Sequence, residues 1–232
     1  MKRKLVLFDI DGTILQSAGA GRRAIHSALS ARGVDLASAG SIRFDGKTDP
    51  QIVFEILDAS GDPTPDDPER ISEVLELYLN HLEADLAESG HHSRLLPGIP
   101  ALLDRLESDP GVVLGLLTGN VVTGARLKLR AAGLDPGRFT VGAYGSDHRH
   151  RGELPAIAAL RAAPQFGRVP QGTEVVILGD TPADVRCCEG IGARAVAVAT
   201  GGYSVAELLA TGASAVFPDF AEVERVVEVI LS

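Results

Sequence analysis

The chain has 232 residues, of which 45% are hydrophobic, and a formal net charge of −9. This length fits one large globular domain, or a core domain with a smaller insertion, and the composition excludes a disordered chain. The negative charge argues against a general nucleic-acid binder, although a local positive site can still bind a small phosphorylated partner.

Hydropathy and the placement of the cysteines predict a cytoplasmic protein without a membrane partner. No apolar run is long enough to span a membrane, and the run after the basic start is too short for a signal peptide. Cys187 and Cys188 are adjacent, which predicts two reduced thiols rather than a disulfide framework or a metal motif.

In chain order, continuous apolar runs alternate with helical patterns. The runs predict buried parallel strands at 4–8, 112–117, 174–178 and 194–199, with a weaker strand at 214–218. Helical patterns lie between and after the later strands, and one of them is the continuous PADVRCCEGIG segment. This alternation predicts an α/β fold, a doubly wound and mainly parallel sheet.

About a hundred residues between the first two runs contain no convincing strand, far more than a crossover helix needs. They contain three helical patterns, and Gly90 is placed to end the longest. We therefore expect an all-helical domain at 16–95, inserted after the first strand into a core formed by 1–15 and 96–232.

Polar side chains follow three of the predicted strands. Ligands bind at the carboxyl ends of the strands in an open α/β sheet, so these groups should face one crevice. The first run ends in two carboxylates one residue apart, which repel each other and call for a compensating cation. The groups are Asp9 and Asp11, then Thr118, Gly119 and Asn120, then Asp180 and Asp184.

Each group also has a purely structural interpretation. Thr118 or Asn120 can cap the following helix, and Thr181 with Asp184 matches a capping box with Pro182 at the first helical position. Capping does not explain why two buried strands both end in carboxylates at the same edge of the sheet.

A crevice of carboxylates, hydroxyl and amide groups suits Mg²⁺ and phosphate. Asp9 and Asp180 are the natural ligands, the main-chain carbonyl of Asp11 is within reach, and Asp184 binds directly or orients a water. One carboxylate of the first pair can attack phosphorus, and the other can exchange a proton with the leaving oxygen. Thr118 and the amides near Gly119 and Asn120 can hold the phosphoryl group.

One more cation is expected near the phosphate. Arg149 and Arg151 precede a helix in GSDHRHRGELP, and the alternative is a solvated basic loop.

The ordered combination DIDGT, LLTGN, a basic residue before a helix, and GDTPAD resembles the haloacid dehalogenase superfamily across essentially the whole chain. The helical insertion resembles that superfamily's C1-type cap, and the overall pattern is closest to phosphoglycolate-phosphatase-like members. The resemblance implies Asp9 as nucleophile, Asp11 as acid/base, Thr118 and Arg151 as phosphate contacts, and Asp180 and Asp184 as completing the Mg²⁺ site.

The sequence departs from the family at the third motif, where a lysine commonly followed by proline is usual. Arg151 followed by Gly152 occupies that position, and Arg149 is the alternative.

The expected activity is hydrolysis of a small phosphate monoester through an aspartyl phosphate, with phosphoglycolate as the leading substrate. A phosphotransferase of the β-phosphoglucomutase type is the main alternative, because it shares all four motifs. A non-catalytic, receiver-like phosphoryl acceptor is a second. The acid at Asp11 argues against dehalogenases and phosphonoacetaldehyde hydrolases, although Lys47 sits where the latter place their Schiff-base lysine. We expect Arg22, Arg23 and Lys47 to contact the substrate, with surface positions as the alternative.

Overall fold

The computed structural model describes residues 3–88 and 92–232. The main sheet consists of β1 (Lys4–Phe8), β4 (Val112–Leu117), β5 (Val141–Ala143), β6 (Val175–Gly179), β7 (Arg194–Val198) and β8 (Ala215–Phe217). All six strands are parallel, in the order β5-β4-β1-β6-β7-β8. The predicted α/β class with a mainly parallel sheet is confirmed.

Alternate residues of the strands enter two hydrophobic layers, as the period of two in a strand requires. Val6 and Phe8 of β1 face one layer, while Leu5 and Leu7 face the other. Because helices cover both faces, both sets are buried, which explains the continuous apolar runs. These helices are α4 (Ile99–Glu107), α5 (Val122–Ala131), α6 (Leu154–Phe166), α7 (Pro182–Arg186), α8 (Val205–Ala210) and α9 (Val223–Leu231).

Three helices between β1 and β4 form most of a third hydrophobic cluster, which also includes Val121 at the start of α5. They are α1 (Ala20–Ala31), α2 (Asp49–Ala59) and α3 (Pro68–Glu88). Tyr78 and Leu82 of α3 are fully buried in this cluster. The predicted stop at Gly90 lies outside the described residues.

The structure corrects the strand prediction in two places. A two-stranded antiparallel ribbon joins β2 (Leu15–Gln16) to β3 (Arg94–Leu95), where sequence patterns indicated no strand. The three-residue edge strand β5 was also missed. Segments this short are below the length at which a hydrophobic period becomes visible.

Several element boundaries also differ, and the strands predicted at 194–199 and 214–218 are observed at Arg194–Val198 and Ala215–Phe217. Strand β6 begins at Val175 and not at Glu174, which lies in a 3₁₀ turn. The predicted helix PADVRCCEGIG is not continuous. It consists of α7 and a 3₁₀ turn at Glu189–Ile191, with both cysteines buried as free thiols between them.

No helix of the described ranges combines the length and the apolar character that crossing a membrane requires.

Candidate active site

The chain makes a tight turn directly after β1, and this turn positions both carboxylates of DIDGT. The amides of Ile14 and Leu15 donate to the carbonyl of Ile10 at 2.9 and 3.0 Å. Gly12 has φ +84°, and a Cβ at this position would lie 2.4 Å from Oδ2 of Asp180. The turn therefore needs glycine both for its conformation and for the approach of Asp180.

Three buried carboxylates meet at the carboxyl ends of β1 and β6. Asp9, Asp180 and Asp184 each offer an oxygen within 4.8 Å of the others. Burial and the neighbouring carboxylates Asp184 and Asp11 raise the pKa of Asp9 to about 7, although Arg151 opposes the shift. Burial, Asp184 and Asp9 also raise the pKa of Asp180 well above its ordinary value. This side of the site carries an excess of negative charge.

Arg151 is the cation among these carboxylates. Its Nη2 donates to Asp9 Oδ1 at 3.0 Å and also to Asp184 Oδ1. The residue is 7% exposed, and its Nε–H is buried with no hydrogen-bond partner in the part of the chain described. The guanidinium thus joins two carboxylates and keeps a donor unused.

Arg149, the alternative at the third motif, lies elsewhere. Its guanidinium forms an ion pair with Asp66 and lies 4.5 Å from the ring centre of Phe54. The structure therefore brings Arg151, and not Arg149, to the carboxylates.

The capping interpretation of GDTPAD is confirmed, and Asp184 of the capping box is also one of the three buried carboxylates. Thr181 caps α7, and its amide and hydroxyl donate to Asp184 Oδ2 at 3.0 and 2.6 Å. Oδ1 of Asp184 is left for Arg151. Capping by one oxygen fixes the orientation of the other.

Asp11 has different surroundings from Asp9. Its Oδ2 accepts hydrogen bonds from Asn120 Nδ2 at 2.8 Å and from Lys128 Nζ at 2.6 Å. Its Oδ1 accepts from Ser17 Oγ at 3.3 Å, and its side chain is 42% exposed. Burial alone would raise the pKa of Asp11, but Lys128 and the hydrogen bonds from Asn120 and Ser17 lower it below its ordinary value.

The loop after β4 holds the neutral polar groups. Asn120 Nδ2 donates to Thr118 Oγ1 at 2.8 Å, and Asn120 Oδ1 accepts from Lys128 Nζ at 2.6 Å. The N-cap of α5 is Val121, so the alternative in which Thr118 or Asn120 caps this helix is wrong.

Asp49, at the start of α2, provides the hydrogen-bond acceptor at the N-terminus of α5. Its Oδ2 accepts from the Val121 amide at 2.9 Å, and its own amide donates to Gly119 O at 2.8 Å. Gly119 is needed here, since a Cβ would lie 2.0 Å from Lys47 O. The segment before α2 is therefore packed directly on the loop after β4.

A cavity of about 420 Å³ lies over these groups. Its lining includes the predicted residues Asp9, Asp11, Thr118, Gly119, Asn120, Arg151 and Asp180. Asp184 is buried behind them, against Arg151.

The three basic residues between β1 and β4 differ in their placement. Arg22 lines the cavity with its guanidinium 4.0 Å from the ring centre of Phe44. Lys47 also lines it, in an ion pair with Glu55. Arg23 is not part of the lining that the described residues form, and its guanidinium pairs with Asp85 at 2.7 Å.

Comparison with known proteins identifies the family. The model of the haloacid dehalogenase-like hydrolases matches residues 3–192, which is more than half of the chain. The chain belongs to this family. The resemblance inferred from the four motifs is therefore confirmed.

Two relatives of this haloacid dehalogenase-like hydrolase are named phosphoglycolate phosphatase. The one from Cereibacter sphaeroides is 32% identical over 202 residues, which cover 85% of this chain and 85% of the relative. The one from Rhodospirillum rubrum is 31% identical over 222 residues, which cover 94% and 88%. The family and these relatives together support a phosphatase hydrolase.

The fold is shared with solved structures of the family. CbbY from Rhodobacter sphaeroides, in complex with phosphate, has a TM-score of 0.75 at 23% identity, covering 95% of this chain and 96% of that chain. At this identity the match shows the fold.

The donor set of this hydrolase fits a hard divalent cation. Asp9, Asp180 and Asp184 are all buried, and Arg151 is the only cation that contacts them in the described residues. Buried carboxylates in excess of their counter-charge are stabilised by a cation, and Mg²⁺ prefers carboxylate oxygens. The Asp11 carboxylate does not belong to this group, because Lys128 already neutralises it.

Sequence reasoning missed Lys128 and Asp49. Both are buried, at 5% and 6% exposure. A signal for Lys128 exists: in α5 it follows Ala125 by three residues and adjoins Leu129, both fully buried. A lysine on the buried face of an amphipathic helix is rarely left without a partner. No comparable signal marks Asp49, because acidic residues are common in the first turn of a helix.

Proposed function

We propose that this protein is a Mg²⁺-dependent phosphatase that hydrolyses a small phosphate monoester through a phosphoryl intermediate on Asp9. One observation carries the proposal. One cavity is lined by Asp9 and Asp180, which with Asp184 behind them form three buried carboxylates in excess of their cation, and by Asp11, which is paired separately with Lys128. This division matches the needs of a nucleophile with a metal and of an acid/base.

Asp9, Asp180 and Asp184, with the main-chain carbonyl of Asp11, are the proposed ligands. The ion would supply a Lewis acid for a phosphoryl oxygen and lower the repulsion between the carboxylates. Asp9 would then be ionised at neutral pH, as a nucleophile must be, because a bound cation opposes the shift that burial causes.

The first half-reaction forms a bond between an Asp9 oxygen and phosphorus, and the bond from phosphorus to the ester oxygen breaks. Arg151 orients Asp9 through Nη2 and lines the cavity as the cation beside the proposed nucleophile. Thr118 and the amides near Gly119 and Asn120 provide further donors beside the cavity.

Asp11 exchanges the protons. In its acid form it transfers a proton to the departing ester oxygen and becomes a carboxylate. In the second half-reaction that carboxylate takes a proton from the water that attacks phosphorus, which releases phosphate and restores Asp9. Its 42% exposure to the cavity side gives it access to both partners.

We also propose a division into a core at 1–15 and 96–232 and a cap at 16–95. The separate hydrophobic cluster of α1, α2 and α3 supports the division, as does the β2–β3 ribbon at the two crossing points. Residues of the proposed cap line the cavity, so this part selects the leaving group.

Phosphoglycolate is the proposed substrate. The relatives carry its name, and Arg22 presents a guanidinium to the cavity with no carboxylate partner among the described residues. A substrate carboxylate would complete this site. Arg23 and Lys47 have partners of their own, and their contact with substrate stays a prediction.

The main alternative is transfer to a sugar hydroxyl, as in a β-phosphoglucomutase. It uses the same four motifs and differs in whether water or a hydroxyl accepts the phosphoryl group. Transfer between sugar positions without net phosphate release would identify it.

The test is phosphate release from a panel of small phosphomonoesters, with and without Mg²⁺, by the wild type and by Asp9→Asn. We expect Mg²⁺-dependent release, fastest with phosphoglycolate, and none with Asp9→Asn. Asp104→Asn, which changes a carboxylate that is 72% exposed on α4, is the matched control. Release by Asp9→Asn at the wild-type rate would show that Asp9 is not the nucleophile.

A further inference from the structure

Lys128 is a buried cation on core helix α5 that the motifs of the family do not include. Its side chain is 6% exposed, and Nζ lies 2.6 Å from both Asp11 Oδ2 and Asn120 Oδ1. Asn120 completes a closed triangle by donating through Nδ2 to the same Asp11 oxygen at 2.8 Å.

The two carboxylate oxygens of Asp11 have different hydrogen-bond partners. Oδ2 faces two donors, so a proton on this oxygen would meet the hydrogens of both. Within residues 3–88 and 92–232, Oδ1 has a hydrogen bond only with the hydroxyl of Ser17, at 3.3 Å, and a hydroxyl can accept as well as donate. A protonated Asp11 therefore carries its proton on Oδ1.

The ammonium of Lys128 lies close to α1 at Gly21. A Cβ at Gly21 would lie 3.1 Å from Nζ, and the hydroxyl of Tyr78 lies 4.0 Å from the same Cβ position. Because the ammonium has little room, it fixes the carboxylate that it contacts.

We propose that Lys128 is a positioning residue for the acid/base. With Asn120 it fixes Oδ2 of Asp11, so that Oδ1 is the oxygen that exchanges a proton with the leaving group. The proposal rests on the function proposed above, in which Asp11 is the acid/base.

Leaving groups of different basicity test it. An alkoxide such as glycolate needs a proton as it departs, whereas 4-nitrophenolate does not. kcat/KM covers the steps up to departure of the alcohol and is therefore independent of the later attack by water. We expect Lys128→Met to lower kcat/KM for phosphoglycolate by about 100-fold and for 4-nitrophenyl phosphate by less than about 3-fold.

Two controls separate positioning from general damage. Lys4→Met removes another buried lysine, whose Nζ donates to Thr173 O and Ser232 O, and it should leave the ratio of the two kcat/KM values unchanged. Methylammonium added to Lys128→Ala should restore part of the phosphoglycolate activity, whereas methanol should not.

Gly21→Ala serves if Lys128→Met does not fold, because it keeps the lysine and displaces Nζ. It should change the ratio in the same direction by about 10-fold. An equal loss with both substrates in every folded Lys128 or Gly21 variant would overturn the proposal.

Asp11→Asn is the reference for the proposed function itself, since asparagine keeps an acceptor for Lys128. If Asp11→Asn shows the leaving-group difference and the Lys128 variants do not, the function stands and the inference is wrong. If Asp11→Asn shows no difference, Asp11 is not the acid/base and both fail.

Discussion

The two carboxylates of DIDGT are one residue apart and lie in opposite electrostatic surroundings. Asp9 shares Arg151 with Asp184, and burial together with the charges of Asp184 and Asp11 raises its pKa to about 7, although Arg151 opposes the shift. Asp11 forms an ion pair with Lys128, and the lysine together with the hydrogen bonds from Asn120 and Ser17 lowers its pKa.

The fold, and not the motif itself, gives the two carboxylates their different electrostatic surroundings. A strand end followed by a turn delivers both to one cavity, where β6 surrounds the first with carboxylates and α5 supplies a cation to the second. Titratable groups whose pKa values are shifted by burial and by specific charged partners are typical of functional sites.

Substitution of the proposed nucleophile, Asp9, should reduce activity more than any other change. Asp9→Asn should lower kcat by at least about 10⁴-fold, because no other group replaces the attacking oxygen. Steady-state phosphate release measures the loss, and circular dichroism checks the fold. A residual rate within tenfold of the wild type would remove the distinction between the two carboxylates.

Removal of the divalent cation should have the next largest effect. We expect EDTA to lower kcat by about 10³-fold and Mg²⁺ to restore it. Mg²⁺ should also raise the melting temperature of the wild type, and more than that of Asp180→Asn, because binding to the folded state stabilises it. Equal shifts for both proteins would argue against Asp180 as a ligand.

Substitution of Arg151, which contacts Asp9, should reduce activity less. Arg151→Met should lower kcat/KM by about 100-fold, and Arg151→Lys should recover part of this because it keeps the charge but not the fork. Arg149→Met is the matched control, since its partner Asp66 is 67% exposed, and it should change kcat/KM by less than about 3-fold. The reverse order would assign the third motif to Arg149.

The contact that Asp49 makes between α2 and the loop after β4 can be tested by measuring the unfolding free energy of the protein. Burial raises its pKa from 3.8 to about 6, although Lys128 and the Val121 amide oppose the shift. The folded state therefore holds the proton more tightly, and its unfolding free energy falls as pH rises from 4 to 6.

Asp49→Asn removes this penalty and keeps an acceptor for Val121. Its gain in unfolding free energy over the wild type should be larger at pH 7 than at pH 4 by about 3 kcal/mol, measured by urea denaturation. A gain that does not depend on pH would show that Asp49 ionises normally in the folded protein.

Much of the fold was accessible from the sequence because buried parallel strands leave continuous apolar runs. The runs at 4–8 and 112–117 match strands β1 and β4 residue for residue. The ribbon at Leu15–Gln16 and Arg94–Leu95 was not accessible, since two residues carry no period and their pairing depends on segments far apart in the chain.

The same limit applies to the site. Strand ends and motif spacing predicted the groups that lie in the cavity, Asp9, Asp11 and Asp180 among them. Lys128 reaches Asp11, and Asp49 reaches the Val121 amide, from two helices whose relative placement only tertiary packing determines. The sequence therefore indicated that two adjacent carboxylates need compensation, but not that one of them obtains it from the protein itself.

The most direct test of the division between Asp9 and Asp11 is to trap the phosphoryl group on the protein. Asp11→Asn incubated with 4-nitrophenyl phosphate and Mg²⁺, then quenched in acid, should carry one phosphoryl group on the peptide that contains Asp9. In this variant Asp9 still attacks an ester whose leaving group needs no proton, while the water of the second step is not activated. Mass spectrometry of that peptide would contradict the account if it found no phosphoryl group in Asp11→Asn, or if it found one in Asp9→Asn.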